Sequence, residues 1–190
     1  GDSYMVVIYL NDTSYNRPVL DAVGSAIWAL GTSPLESLGN GSYVFTVPNT
    51  LNIASYPVTL ILSKMNHTTS SQQITVVVRQ IATQLVPLSG SPYISTTVGS
   101  LVTFSVIYTD IDHNVPITGA TLSLTQIQQL IGEDDYTVTP GSTPGEYLIQ
   151  FTTPVDYEFN IVVYASSGGN YEEKDLTIVI VSVPVAVDPV

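Results

Sequence analysis

Asp110, Asp112 and Asn114 place side-chain oxygens at alternate positions of one short segment. That spacing lets a loop curl its oxygen ligands around a hard cation such as Ca2+. The flanking residues depart from an EF-hand. Val115 stands where the loop glycine belongs and Thr121 where the twelfth-position glutamate belongs. Val115 also precedes a proline, which biases it to extended backbone. The competing reading is an Asx-rich turn between two strands, whose side chains bond their own backbone. Ca2+ is the one cofactor the sequence suggests.

Other residue types offer less. The runs Glu133-Asp134-Asp135 and Glu172-Glu173-Lys174-Asp175 read as cation carboxylates or as solvated loop tips. His67 and His113, with no cysteine anywhere, do not make a zinc site. No Gly-x-Ser-x-Gly elbow and no phosphate-cradling glycine loop ending in Lys-Ser or Lys-Thr is present. Asn11, Asn40 and Asn66 each begin an Asn-x-Ser/Thr sequon in a turn-like stretch, so all three are candidate glycosylation sites. Lys64 and Lys174 do not suggest isopeptide cross-links. No catalytic residue is assigned, and the chain is read as a non-enzyme.

Sixteen acids against four bases give a net charge of −12. Nucleic acid and anionic lipid are bound through basic patches, so neither is an expected partner. Hydrophobic residues make up 44% of the chain, enough for a buried core. The longest apolar stretch, 176–187, is too short for a membrane helix and contains Pro184, so no insertion of this segment is expected. No basic segment followed by an apolar core opens the chain, which therefore reads as a mature or excised fragment of something longer.

The elements that must carry these residues are strands. Runs rich in Val, Ile, Thr and Tyr, broken by Gly, Pro, Asn and Ser, predict strands at 4–10, 22–29, 41–47, 56–63 and 73–81. A second set is predicted at 93–97, 101–109, 120–126, 135–138, 146–152, 158–165 and 175–183. The segment 124–131 has the composition of a short helix, which flanking strands oppose. The chain also repeats itself. Residues 12–22 match 110–120 without a gap, each behind an Ile-Tyr (Ile8-Tyr9, Ile107-Tyr108). Gly41-Ser-Tyr43 matches Gly145-Glu-Tyr147, 56–62 matches 157–163, and 74–78 matches 176–180. Landmarks in one order mean two copies of one domain. The turn-rich 87–92 sets the boundary, giving domains 1–88 and 89–190. The first carries four acids and three bases, the second twelve acids and one base. Tyr9, Tyr43, Tyr56, Tyr108, Tyr147 and Tyr157 fall at repeat-equivalent places and read as core rings with bonded hydroxyls. An exposed aromatic platform for carbohydrate is the alternative.

The Asp-x-Asp-x-Asn-x-Pro-Ile-x-Gly-Ala pattern of 110–120, followed by Gly-x-Tyr, resembles tandem immunoglobulin-like β-sandwich repeats of archaeal and bacterial extracellular surface proteins. Pro116-Ile-Thr-Gly-Ala120 is also similar to carboxypeptidase-regulatory-like and transthyretin-like sandwiches. The first copy departs from the pattern at Ser14, Leu20 and Asp21. The resemblance implies an all-β chain of two tandem immunoglobulin-like antiparallel β-sandwich domains. It implies a structural or adhesive module of a cell-surface, surface-layer or filament protein, located outside the cell. A carbohydrate- or protein-binding module and an accessory domain of a secreted enzyme are the alternatives. Expected partners are neighbouring repeats or copies of the same protein. The first repeat is expected to lack its first strand. The apolar tail 182–190, with no place in the second repeat's core pattern, is the candidate donor of a strand to a neighbour.

Overall fold

A computed structural model describes residues 4–126, 135–155 and 157–184. They form eighteen strands joined by turns, with no α-helix among them. No helix among the described residues is long and apolar enough to cross a membrane. Of the segment 124–131, residues 124–126 lie in a strand and the remainder lies outside the described residues.

The first unit, residues 1–79, is a two-sheet sandwich. One sheet runs β1 (Tyr4–Tyr9), β7 (Ser42–Val47), β6 (Glu36–Ser37). The other runs β5 (Gly31–Pro34), β4 (Val23–Trp28), β8 (Ala54–Ser63), β9 (Ser70–Val78). A short hairpin, β2 (Asn11–Asp12) and β3 (Arg17–Pro18), closes the turn after β1. Alternate residues of the facing strands meet between the sheets. Val58 and Leu60 from β8 pack with Tyr43 and Phe45 from β7, and the Trp28 ring stands edge-on to Phe45 at 5.1 Å. Each such side chain contributes about 1.5–3 kcal/mol by leaving water.

The second unit, residues 80–190, is the fuller sandwich. Its first sheet runs β10 (Thr83–Pro87), β12 (Leu101–Asp110), β16 (Glu146–Thr152), β15 (Tyr136–Pro140), with β13 (Val115–Pro116) folded onto β12. Its second runs β11 (Tyr93–Thr97), β18 (Lys174–Val183), β17 (Glu158–Ser166), β14 (Thr121–Gln126). The orders correspond to the A-B-E-D and C-F-G sheets of a constant-type immunoglobulin sandwich, with β11 added in parallel beside the last strand. Val106, Ile149, Ile161, Ile178 and Ile180 fill the core without measurable exposure.

The division falls at 79/80, not at the expected 88/89. Thr83–Pro87 pairs with β12, and Thr83 and Leu85 are buried there, so this segment opens the second unit. That unit accordingly has two strands, β10 and β11, without counterparts among the described residues of the first. The tail also begins later than expected. Ser182 is buried and Val183 belongs to β18, paired with Thr96 and Thr97. Residues 185–190 lie outside the described residues.

Strand register corrects the repeat alignment. Ile8 faces Tyr43 across β1 and β7, as Val106 faces Tyr147 across β12 and β16. Tyr9 is therefore the counterpart of Ile107, and Leu10 that of Tyr108. A one-residue slip moves a side chain to the opposite face of a sheet, so Tyr9 is 59% exposed while Tyr108 is fully buried. Pairing of β4 with β8 and of β14 with β17 makes Tyr56 the counterpart of Phe159, and Tyr157 is exposed. Likewise Ile74 corresponds to Ile178 and Val78 to Ser182.

Candidate functional site

The Asp-rich loop leaves β12 at its last residue. Asp110 is 1% exposed. Its Oδ1 accepts the His113 amide at 3.0 Å, and its Oδ2 lies 2.8 Å from the His113 Nδ1. Burial alone would raise this carboxyl's pKa. The His113 side-chain and backbone bonds, the charge of His113 and the Asp112 amide outweigh it, and hold the carboxyl below its ordinary value. Asp112 turns elsewhere: its Oδ2 accepts the Ala82 amide at 2.9 Å, beside the Ile111 amide's bond to the Ala82 carbonyl. Asn114 adopts a left-handed φ of 55°, which asparagine tolerates, and swings Val115–Pro116 back onto β12. Within this loop, Asp110 serves the turn and Asp112 fastens the strand that enters the unit. Among the described residues, no three His, Cys, Asp or Glu side chains converge into a metal-sized group.

The first unit builds the same turn with fewer bonds. Asp12 Oδ1 accepts the Ser14 and Tyr15 amides at 2.9 and 3.2 Å, and Asn16 repeats the left-handed conformation with φ 47°. His67, from the β8–β9 turn, brings its Nδ1 to 3.9 Å from Asp12 Oδ2. Ser14 takes the place of Asp112, in the unit where no entering strand is described.

The paired tyrosines are the most closely shared feature. Tyr43 donates its hydroxyl to the Val19 carbonyl at 2.8 Å and accepts the Ala22 amide at 2.9 Å. Tyr147 donates to Ile117 at 2.9 Å and accepts from Ala120 at 2.8 Å. Each ring is buried and ties the segment before β4 or β14 to the opposite sheet. Just before them, Gly41 and Gly145 adopt φ of 85° and 78° against Pro18 and Pro116.

The remaining acids are held locally. Glu146, 8% exposed, takes a side-chain bond from Thr143 at 2.6 Å, the Thr143 amide at 3.0 Å and Ser142 at 3.2 Å. The Thr143 hydroxyl, then Ser105 and the Thr143 amide, lower its pKa to about 2 against the opposing effect of burial. A carboxylate so donated to stays ionised and is no general acid at neutral pH. It lies beside an open cleft of about 510 Å3 between residues 118–122 and 138–147. In the second acidic run, Glu172 pairs with Lys174 at 2.9 Å. Its carbonyl accepts Tyr108 at 2.6 Å and Thr83 at 2.8 Å. Glu173 hydrogen-bonds Tyr164. That bond, burial, and the charges of Glu173 and Asp175 push the phenol up to about 12. Glu133 and Asp134 lie outside the described residues.

Of the sequon asparagines, Asn40 and Asn66 are exposed, while Asn11 is half-buried with its Nδ2 3.5 Å from Asn16 Oδ1. Asn40 Oδ1 accepts the Ser42 amide at 3.0 Å. Sequence reasoning missed the Glu146 clasp and β10. The sequence Thr83-Gln-Leu-Val-Pro87 carries no clear apolar–polar alternation, so β10 shows only in its pairing with β12.

No protein-family model matches the chain, and no curated protein does. Among solved structures, it is similar to domains 4 and 5 of the S-layer protein SbsC, with 15% identity and a TM-score of 0.39, over 68% of this chain and 65% of that one. It is similar to titin domains z1z2 in complex with telethonin, with 10% identity and a TM-score of 0.41, over 98% and 90%. It is also similar to the Yersinia pseudotuberculosis adhesin InvE, with 14% identity and a TM-score of 0.35, over 94% and 54%. The chain spans 20% of a longer SbsC structure covering domains 1–6. These neighbours are immunoglobulin-like sandwich domains of structural and adhesive proteins.

Proposed function

We propose that this chain is a non-catalytic structural segment of a tandem-sandwich protein exposed on the outside of a cell, and that its units carry tension along the chain. The supporting observation is the parallel pairing of β11, the second unit's second strand, with β18, its last described strand. The chain enters at Thr83, opposite Asp110, and leaves at Val183, beside Thr97. After β10, β11 and β18 run parallel over five paired residues, Tyr93 to Thr97. Once β10 has been drawn off β12, pulling the two ends of the unit slides β11 and β18 along one another and loads their ladder bonds together rather than one at a time.

Pulling the intact chain in a single-molecule force experiment tests this. Two unfolding events are expected, the second unit yielding at the higher force, since forced unfolding is set by the unfolding rate. A second unit that opens at forces no greater than those of an unpaired loop would overturn the reading. Exposed Asn40 and Asn66 are proposed as glycan carriers where the host glycosylates its surface proteins; glycopeptide mass spectrometry of the native protein tests this. The Asp110, Asp112 and Asn114 loop is proposed to act chiefly as the fastening of β10.

A further inference from the structure

We infer that the Asn40–Gly41 link is a site of spontaneous modification, rearranging through a cyclic imide to aspartate and isoaspartate at position 40. The chain has nine asparagines, and only Asn40 is followed by glycine. A Cβ on the following residue would crowd the backbone nitrogen that must attack, and glycine has none. Asn40 is exposed in the bend between β6 and β7. Gly39, on its other side, has φ 79° and open space about it, so the bend can turn there. The Asn40 carboxamide is already folded back along its own main chain, since its Oδ1 accepts the Ser42 amide at 3.0 Å. That bond engages the oxygen, draws electrons from Cγ, and stands where negative charge gathers when Cγ is attacked.

In the first step the Gly41 nitrogen forms a bond to Asn40 Cγ and the Cγ–Nδ2 bond breaks. Nδ2 leaves as ammonia, taking the proton that the Gly41 amide gives up. Water then opens the imide. Entry at Cγ restores the ordinary main chain with aspartate. Entry at the main-chain carbonyl of residue 40 gives isoaspartate, whose main chain runs through the side-chain methylene. The consequence falls on the turn lock of the first unit. Gly41 is buried against Pro18, its carbonyl accepts the Leu10 amide at 2.9 Å, and Tyr43 follows closely. A methylene added to the main chain just before Gly41 displaces these groups, so the isoaspartyl form loosens the first unit. In the second unit Pro144 precedes Gly145. It offers no carboxamide, and that lock does not age in this way. Where Asn40 carries a glycan, Nδ2 is substituted and departs less readily, so unglycosylated copies are the ones that convert.

The inference goes beyond the tension reading and rests on none of it. Peptide mapping by mass spectrometry of the intact, unglycosylated chain, stored folded at neutral and at mildly alkaline pH, tests it. Asn40 is expected to convert ahead of the other eight asparagines, with isoaspartate in excess over aspartate. Conversion is expected to be faster at the higher pH, because the Gly41 amide must lose its proton to attack. Converted chains, separated from unconverted ones, are expected to exchange the Leu10 amide faster, with the β16 amides unchanged. Asn40→Gln, which would have to close a larger ring, is expected to stay unmodified at position 40 and to keep the Leu10 amide slow. The same chain in denaturant gives the rate of the unfolded sequence. A folded chain that keeps Asn40 intact while the denatured chain converts it would overturn the inference. So would conversion at another asparagine first, or converted chains in which Leu10 exchanges as before.

Discussion

The two units share a plan and differ at their edges. In the second, β10 and β11 cover the outer sides of β12 and β18, and Tyr108 is buried with its hydroxyl on the Glu172 carbonyl. In the first, β1 and β9 are the outermost described strands, and Val6, Ile8 and Leu10 are only half-buried. The cores of the two are equally closed, with Tyr43 and Val58 as inaccessible as Ile149 and Ile161. The centre is closed alike in both units because the core is made by inward residues of central strands. What β10 adds in the second unit is cover over the outer row of β12.

The largest effect that would break this comparison is expected at the shared glycines. A Cβ on Gly145 would stand 2.8 Å from Pro116 Cβ and 2.9 Å from the Tyr108 carbonyl; one on Gly41 would stand 2.6 Å from Pro18 Cβ. Both residues have φ near +80°, where a side chain adds strain of its own. Gly41→Ala and Gly145→Ala are each expected to cost about 2–4 kcal/mol in their own unit. Trp28, the only tryptophan, reports the first unit during denaturant unfolding, and hydrogen exchange reports the second. A large loss in one unit and none in the other would show that the turn lock is not shared.

Next in size are the tyrosine hydroxyls. Tyr43→Phe and Tyr147→Phe each leave a buried amide and carbonyl without a partner, and are expected to cost about 1–3 kcal/mol. Equal losses would sharpen the equivalence drawn from register. A loss at Tyr147 alone would mean that the open edge lets water reach Val19 and Ala22.

These tyrosines also show what the sequence could reveal. Gly-x-Tyr was legible because it fixes a left-handed turn and a buried ring at once, and both copies carry it. The Tyr9–Tyr108 match failed because identical letters lay one residue apart in register, and only the pairing with β7 or β16 distinguishes the faces. The matches of 56–62 with 157–163, and of 74–78 with 176–180, were displaced by two residues. A two-residue slip preserves alternation, so hydrophobic pattern cannot detect it. β10 was hidden by its proline and by turn residues just beyond it. The Asp110 loop was legible as a turn, but the Asp112–Ala82 bond depends on β10, so its purpose was not.

Acid is expected to separate the units by a smaller margin. Glu146 titrates near 2 instead of 4.5, and Asp110 is also lowered. A carboxyl whose folded pKa is depressed stabilises the fold above its ordinary pKa, and that contribution is lost as pH falls through the folded value. The second unit should therefore lose stability as pH falls from about 4.5 towards 2, and Glu146→Gln should flatten that slope. Hydrogen exchange of β16 amides across this range measures it. An unchanged slope in Glu146→Gln would show that the Ser142–Thr143 clasp adds nothing in acid.

The smallest expected effect is that of calcium. A cation gains affinity from oxygens that are free to turn towards it. Both Asp110 oxygens are engaged by His113, and one Asp112 oxygen holds the Ala82 amide. Binding at this loop would have to release those bonds and loosen the entry of β10, offsetting the stabilisation that mass action supplies. Thermal melts of the intact chain with calcium and with chelator are therefore expected to agree within about 1 °C for the second unit. Asp112→Asn, which keeps a carbonyl oxygen for Ala82, should leave that agreement unchanged. A rise of several degrees confined to the second unit, and lost in Asp112→Asn, would show instead that the loop turns its carboxylates to the ion. The two units would then differ in ligand as well as in edge, since Ser14 offers the first unit no carboxylate at that position.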